Sequence, residues 1–455
     1  MKASALAASG LAFPSLIPAS ALGRNGLAAP SERIRIGLIG CGNHGVYWNL
    51  PQIFRCPEVE VVAVCDVDSD HLADGKRVVE AHYGPLHGKD YTPPATYSDF
   101  RKLVLRKDLD VVSNHTPDHW HIIPAIMAAK CGKDVICEKP LTLFIAEGQA
   151  LCKAVADHKR IFQTASENRS IAVFIRLIEL VRAGAIGKLQ NIKVGIPAGN
   201  NNLRLGPQAK DTFDQRQAQP VPKTLDYDTW LGQAPELPYI PARLHGAFRW
   251  NLAFSGGVLT DWGAHMIDLA QWGHDTEHTG PVEIEGKGDF PPRDAVFNTA
   301  ATCEVHYKYA DGVTMTVATT GPSIRFEGTA GWVQCPGWRA DVQASSPEIL
   351  NLKVDPDKVK IYRPSEIEGP NDGNKGGEHR NFYDCVKSRQ PTYAPAEIGH
   401  RTISIAHIGN IAMMLGRKLR WDPATETFPE DSEANAMLTR KQREPWTIAN
   451  IDTWI

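Results

Sequence analysis

Residues 37–45 read GLIGCGNHG, and the glycines Gly40, Gly42 and Gly45 stand in the order G-x-G-x-x-G. That spacing alone is weak, because a chain with 38 glycines can produce it by chance. The flanks decide. Residues 34–39 form an apolar run that predicts a short strand, and 43–55 can be helical, so the glycines occupy a strand-to-helix turn. The next β-branched run, 59–65 (VEVVAVC), leads directly into Asp66. In that setting Gly40 allows a tight turn, Gly42 lets the backbone approach a pyrophosphate, and Gly45 lets helix and sheet pack closely, while the helix N-terminus offers N–H groups to the anion. Asn43 and His44 belong to the same cofactor-binding turn. Asp66 would accept hydrogen bonds from adenosine ribose hydroxyls and repel a 2′-phosphate, favouring NAD over NADP. The alternative is that Asp66 merely caps the following helix.

The alternation continues outward, with strands predicted at 111–114, 135–137 and 161–164 and helices at 69–82, 119–130 and 145–158. Strands alternating with helices imply right-handed crossovers and a parallel sheet covered on both faces, the doubly wound α/β class. After about residue 166 the rhythm changes. Helical stretches at 173–183, 258–272 and 397–415 are mixed with alternating runs at 300–309, 313–319 and 323–328. The first two runs are joined by Ala310-Asp311-Gly312, a hairpin signal. The expected organisation is therefore a leader (1–30), an NAD-binding Rossmann domain (31–165) and a substrate-binding α/β domain with a large, mostly antiparallel open sheet (166–455). The irregular stretches 197–245 and 335–375, rich in Pro, Gly and Asn, are too long for plain connectors and are expected to form pocket walls or subunit contacts.

With 42% apolar residues in 455, the chain can bury a sizeable core, and a net charge of −3 gives no reason to expect nucleic acid or an anionic membrane as partner. The substrate is expected to be small. Residues 1–30 are rich in Ala, Leu and Ser, lack acidic residues and contain an A-x-A site at Ala19-Ser20-Ala21, which reads as an export signal and a periplasmic or otherwise exported protein. The basic start is only Lys2 and there is no twin arginine, as in a signal lacking its first residues. The alternative is an uncleaved, disordered tail on a cytoplasmic protein. Pro14 and Pro18 break the apolar part, which is too short to span a membrane. Nine cysteines without C-x-x-C pairs exclude a zinc ribbon or thioredoxin motif and make a poor disulfide framework. Cys65 and Cys137 read instead as small buried hydrophobes. That suits folding in the cytosol, before any export.

Three stretches carry candidate chemistry. In CEKPLT (137–142), Lys139 stands at the carboxyl end of a predicted strand, where doubly wound sheets bind ligands, and Pro140 fixes its backbone, with a cis peptide as one option. Such a lysine can hydrogen-bond a substrate hydroxyl or carry a proton; otherwise it is a surface lysine paired with Glu138. In GGVLTDWGAHMIDLAQW (256–272), a continuous helix would put Asp261, His265 and Asp268 on one stripe, where a carboxylate orients an imidazole for base chemistry. The competing reading makes Asp261 an N-cap, His265 a satisfied core residue and Asp268 an ion-pair partner. No metal site is expected, since this spacing lacks a clear third ligand. In HTPDHWH (115–121), Thr116-Pro117 suits a loop under a cofactor, and the segment reads as a wall beside the nicotinamide. Arg169, Tyr227, Trp230, Arg249, Trp250 and Trp262 are candidates for stacking on sugars and binding hydroxyls, or for packing.

Together, G-x-G-x-x-G at Gly40 to Gly45, T-P-x-x-x-H from Thr116 to His121, E-K-P at Glu138 to Pro140 and D-x-x-x-H at Asp261 to His265 resemble the Gfo/Idh/MocA oxidoreductases over nearly the whole chain. Residues 250–273 and 378–391 resemble the exported branch common in planctomycete-type and Bacteroidetes-type bacteria. The resemblance implies a Rossmann domain joined to an α/β domain whose open sheet faces the cofactor and builds homodimers or homotetramers. It implies NAD held by the glycine turn, Asp66, Thr116, Pro117, His121, Glu138 and Lys139. It also implies Lys139, Asp261 and His265 as the catalytic group, with His265 the base; Arg169 and Trp250 join them as candidate substrate contacts. The expected activity is NAD-dependent oxidation or reduction at a secondary hydroxyl of a sugar, cyclitol or glycoside. Alternatives are a glycosidase that oxidises, eliminates, hydrates and reduces with one retained NAD, and a non-catalytic NAD or sugar sensor.

Overall fold

The computed structural model describes Ala29 and residues 32–199, 216–363 and 377–455; the rest of the leader and parts of both long irregular stretches lie outside the described residues. Six parallel strands form the first sheet: β1 (Ile34–Ile39), β2 (Val59–Cys65), β3 (Ala95–Tyr97), β4 (Val111–Asn114), β5 (Asp134–Cys137) and β6 (Phe162–Thr164), in the spatial order β3-β2-β1-β4-β5-β6. Every residue of β4 and β5 is buried, as expected of parallel strands covered on both faces. The order reverses between β1 and β4, where Ile39 lies beside both Cys65 and Asn114. That reversal opens a crevice at the carboxyl ends of the strands. Sequence patterning does not reveal β3, a three-residue edge strand without apolar alternation.

Eight strands form the second sheet: β7 (Leu189–Gly195), β8 (Glu283–Gly288), β9 (Cys303–Lys308), β10 (Thr314–Ala318), β11 (Ser323–Gly328), β12 (Gly331–Cys335), β13 (Gln343–Ala344) and β14 (Leu419–Arg420). Only β7 and β10 pair in parallel. Along β9, Cys303, Val305 and Tyr307 are buried while Glu304, His306 and Lys308 are exposed. One face of the sheet therefore packs on the helices Ala172–Arg182, Gly263–His274 and Ala396–Leu415, and the other is open. The β9–β10 hairpin turns at Gly312, whose φ of 91° is a left-handed conformation that favours glycine.

Two departures from the sequence reading shape the site. The expected continuous helix 258–272 is broken at Trp262 into Val258–Asp261 and Gly263–His274, and the His265 N–H bonds to the Trp262 carbonyl, three residues back. The helix Gly377–Ser388 follows the second sheet in the chain yet packs on the first: Phe382 and Tyr383 are fully buried among Ile36, Leu38 and Val61. Arg380 pairs with Glu58, just before β2, and Arg389 with Asp134, the first residue of β5, tying the late helix to the amino ends of those strands.

All nine cysteines are free, with Cys65 and Cys137 buried in β2 and β5. Among the described residues, no helix is long and apolar enough to cross a membrane.

Candidate active site

A cleft of about 230 Å³ opens where β1, β2, β4 and β5 end, and every predicted cofactor residue except Gly45 lines it. The three glycines differ as their roles require. Gly40 has φ 93°, and a Cβ there would lie 2.6 Å from the His115 carbonyl carbon. A Cβ on Gly42 would meet nothing within 4 Å, so the turn is open toward the cleft. A Cβ on Gly45 would collide with the Gly40 carbonyl oxygen, so this glycine serves helix packing rather than lining. The first helical bond, from Val46 N–H to Gly42 C=O, spans 3.0 Å and leaves the preceding N–H groups at a helix N-terminus beside the cleft. An open anion cradle beside a half-buried carboxylate, Asp66, fits a dinucleotide.

Asp66 does not cap the next helix. Its Oδ2 accepts from Cys41 N–H at 2.7 Å and its Oδ1 from Asp68 N–H at 2.8 Å, locking the loops after β1 and β2 together. The cap is Asp68, which accepts from the N–H groups of Asp70 and His71. Burial pushes the Asp66 carboxyl upward, against the pull of the Asp68 and Cys41 N–H groups and of nearby His71.

Lys139 follows Glu138 at the end of β5, and its peptide bond to Pro140 is cis. The ammonium does not pair with Glu138. It donates to Asp261 Oδ1 at 2.7 Å and to the Asp261 carbonyl at 3.3 Å. The break at Trp262 explains the second bond: in a continuous helix that carbonyl would accept from His265 N–H, whereas here it is free for Lys139. Arg249 Nε approaches the same carboxylate at 3.3 Å. Burial opposes charge on Asp261, but Lys139 and Arg249 outweigh it and hold the carboxyl well below its usual range. Glu138 instead receives Asn49 and His44, both at 2.9 Å, and His115 at 3.3 Å.

His265 is buried, and its Nδ1 faces Asn168 Oδ1 at 3.4 Å. The Asn168 amide donates to Asp268 at 2.7 Å, which orients its oxygen toward the ring. Nδ1 therefore carries the proton, and Nε2 keeps the lone pair. Burial, reinforced by the charge of Lys139, pushes His265 down to about 3, so the ring is neutral near pH 7.

Other candidates fall elsewhere. Arg169 is not placed to touch substrate: it is 2% exposed and donates to both oxygens of Asp268, to Glu277 at 2.5 Å and to the Tyr393 carbonyl. Asp268 thus belongs to that ion pair and not to a stripe facing the cleft. Trp250 packs in the main core, and its carbonyl receives Asn298 N–H; Tyr227 packs beside Trp230 in a separate aromatic cluster. Trp230 and Arg249 do line the cleft, while Trp262 sets an edge against Trp338. Within HTPDHWH, His121 bonds the carbonyls of Pro140 and Thr116, and His119 bonds that of Trp230. Sequence reading passed over Asp118, between two conspicuous histidines. It lines the cleft, accepts from Ser255 Oγ at 2.5 Å, and burial pushes it up to about 7 despite the pull of Arg249 and Ser255.

A family model described as "Oxidoreductase family, NAD-binding Rossmann fold" matches residues 34–166, and a second, "Oxidoreductase family, C-terminal alpha/beta domain", matches 175–448. The alpha-N-acetylgalactosaminidase of Shewanella oneidensis is 32% identical over 178 residues, which span 38% of this chain and 37% of that protein. The levoglucosan dehydrogenase of Pseudarthrobacter phenanthrenivorans is 34% identical over 168 residues, spanning 36% and 40%. These alignments thus cover well under half of each relative. Among solved structures, a WlbA dehydrogenase from Chromobacterium violaceum, in complex with NADH and UDP-GlcNAcA, has a TM-score of 0.61 at 16% identity, covering 87% of this chain and 98% of the other.

Proposed function

This chain belongs to the Gfo/Idh/MocA family of NAD-binding oxidoreductases, and we propose that it acts on a secondary hydroxyl of a sugar, cyclitol or glycoside. The observation that carries this reading is the Lys139–Asp261 ion pair, whose lysine lines the NAD cleft. Gly40, Gly42 and Asp66 would hold the cofactor, whose nicotinamide supplies the hydride acceptor or donor when bound. Two of the three Lys139 donors are committed to Asp261; the third can meet a substrate oxygen and stabilise the alkoxide developing there. Neutral His265 takes the hydroxyl proton at Nε2, and the growing negative charge beside it raises its basicity as the proton moves. Replacing His265 with Ala is expected to lower turnover ~10²–10⁴-fold while cofactor affinity, measured by nicotinamide fluorescence, is retained. An equal loss of both would defeat the assignment.

Similarity to an alpha-N-acetylgalactosaminidase supports a second reading, a glycosidase with recycled NAD. A ketone acidifies the adjacent C–H, so the same base and lysine would serve for elimination. Mixing the protein with aryl glycosides and free sugars, while following nicotinamide absorbance and aglycone release together, separates the two. Accumulating NADH without aglycone means a dehydrogenase; many aglycones per bound NAD without net NADH mean a glycosidase.

The composition of residues 1–30 supports export, tested by cleavage and fractionation of the full chain in a bacterial host. The open face of the second sheet, with Glu304, His306 and Lys308 outward, supports a homodimer or homotetramer, tested by light scattering.

A further inference from the structure

Apart from the groups assigned to the reaction, Asp68, His71 and His245 bring one carboxylate and two imidazoles to the rim of the cleft, with a ligand atom of each within 4.8 Å of the other two. They arrive from both halves of the molecule. Asp68 and His71 open the helix Ser69–His87, whereas His245 lies on the segment that crosses from the second unit. That segment is already laced to the first unit nearby: Ser69 N–H donates to Thr224 C=O at 2.8 Å, and Asp226 N–H to Val67 C=O at 3.0 Å.

The Asp68 carboxylate divides its work. Oδ1 accepts from the N–H groups of Asp70 at 2.9 Å and His71 at 3.4 Å, while Oδ2 faces His245 Nε2 at 3.4 Å. Bonds of about 2.0–2.1 Å to a tetrahedral metal separate neighbouring ligand atoms by roughly 3.4 Å. The rings of His71 and His245 lie 4.3 Å apart and are tilted by 57°. Two neutral imidazoles this close can both offer a ring nitrogen to one cation. Imidazole and carboxylate donors suit zinc and its divalent first-row neighbours, whereas calcium and magnesium prefer all-oxygen sites.

We propose that Asp68, His71 and His245 bind one divalent transition-metal cation of the zinc class, which clasps the crossing segment to the first unit at the cleft rim. Three protein ligands leave a fourth position for water. Sequence spacing hides the site, because only two ligands share an element and the third lies 174 residues beyond His71.

The test uses the full chain without a histidine tag, stripped with chelator and dialysed against zinc, with bound metal measured by atomic emission. One zinc per chain and a raised melting temperature are expected. Asp68→Asn keeps a cap oxygen for the helix but loses the anion, and His245→Gln loses an imidazole; each is expected to weaken zinc binding at least ~10-fold. Melting in chelator shows whether each variant folds like the stripped parent. Cobalt(II) titration of the unaltered chain needs no variant: a visible absorption band saturating at one equivalent is expected. Absence of that band, zinc retained undiminished by a His71→Gln/His245→Gln protein, or uptake of magnesium in preference to zinc would each overturn the site.

Discussion

Asp261 and Asp268 lie on one stretch of chain, and each holds a cation supplied by the segment that ends a strand of the first sheet. The outcomes differ. In the Lys139–Asp261 pair the side chains are 14% and 12% exposed, and one ammonium donor stays uncommitted at the cleft. In the Arg169–Asp268 pair they are 2% and 1% exposed, and two carboxylates and a carbonyl take four of the five guanidinium donors. The donors left facing the cleft, rather than charge alone, separate a group that can act on substrate from one that ties the walls together.

Substitutions can break that contrast. The largest expected effect is on stability: Arg169→Met strands a buried carboxylate and should cost about 3–5 kcal/mol, read from urea unfolding. A stable but inactive Arg169→Met protein would put that pair in the chemistry instead. Lys139→Met should cost ~10²–10³-fold in kcat, with a smaller stability change because Arg249 still faces Asp261. Asn168→Leu removes the oxygen that selects the His265 tautomer, and a fall in kcat of about 10-fold at unchanged KM is expected. A lowered melting point with normal kcat would make Asn168 purely structural.

The smallest effect is a pH dependence. Because burial raises Asp118 to about 7 in the fold, against about 3.9 unfolded, its contribution is full below the unfolded value and fades as pH rises through the folded one. Between pH 5 and 8 the melting temperature of the parent should therefore fall relative to Asp118→Asn, by on the order of 2 °C. Parallel curves for the two proteins would remove Asp118 from the titrating set.

What was legible in sequence shares one property: the cause lies within a few residues. The glycine turn needs only its flanking strand and helix, the β9–β10 hairpin only its Asp-Gly turn, and Lys139 only the strand it terminates. For the candidate site the candidate residues were readable, but their pairing was not. Lys139 and Asp261 do meet, although a continuous helical stripe was the wrong geometry for the carboxylate and imidazole, because the chain breaks at Trp262 and turns the Asp261 carbonyl toward Lys139. Arg169 and Trp250 looked like sugar contacts because composition reports what a side chain can do, while its partners decide what it does. Asp118 was missed for the converse reason, since nothing near it in sequence signals that Ser255, 137 residues away, will share its proton.

The doubly wound first half, the β9–β10 hairpin and the cofactor-side residues at the cleft could be read from the chain, because periodicity and turn chemistry act over short spans. Tertiary structure alone decided which cations keep free donors, which tautomer His265 carries, and that the late helix Gly377–Ser388 completes the core of the first sheet. Those outcomes depend on burial and on partners roughly a hundred or more residues apart, which only the folded chain brings within hydrogen-bonding range.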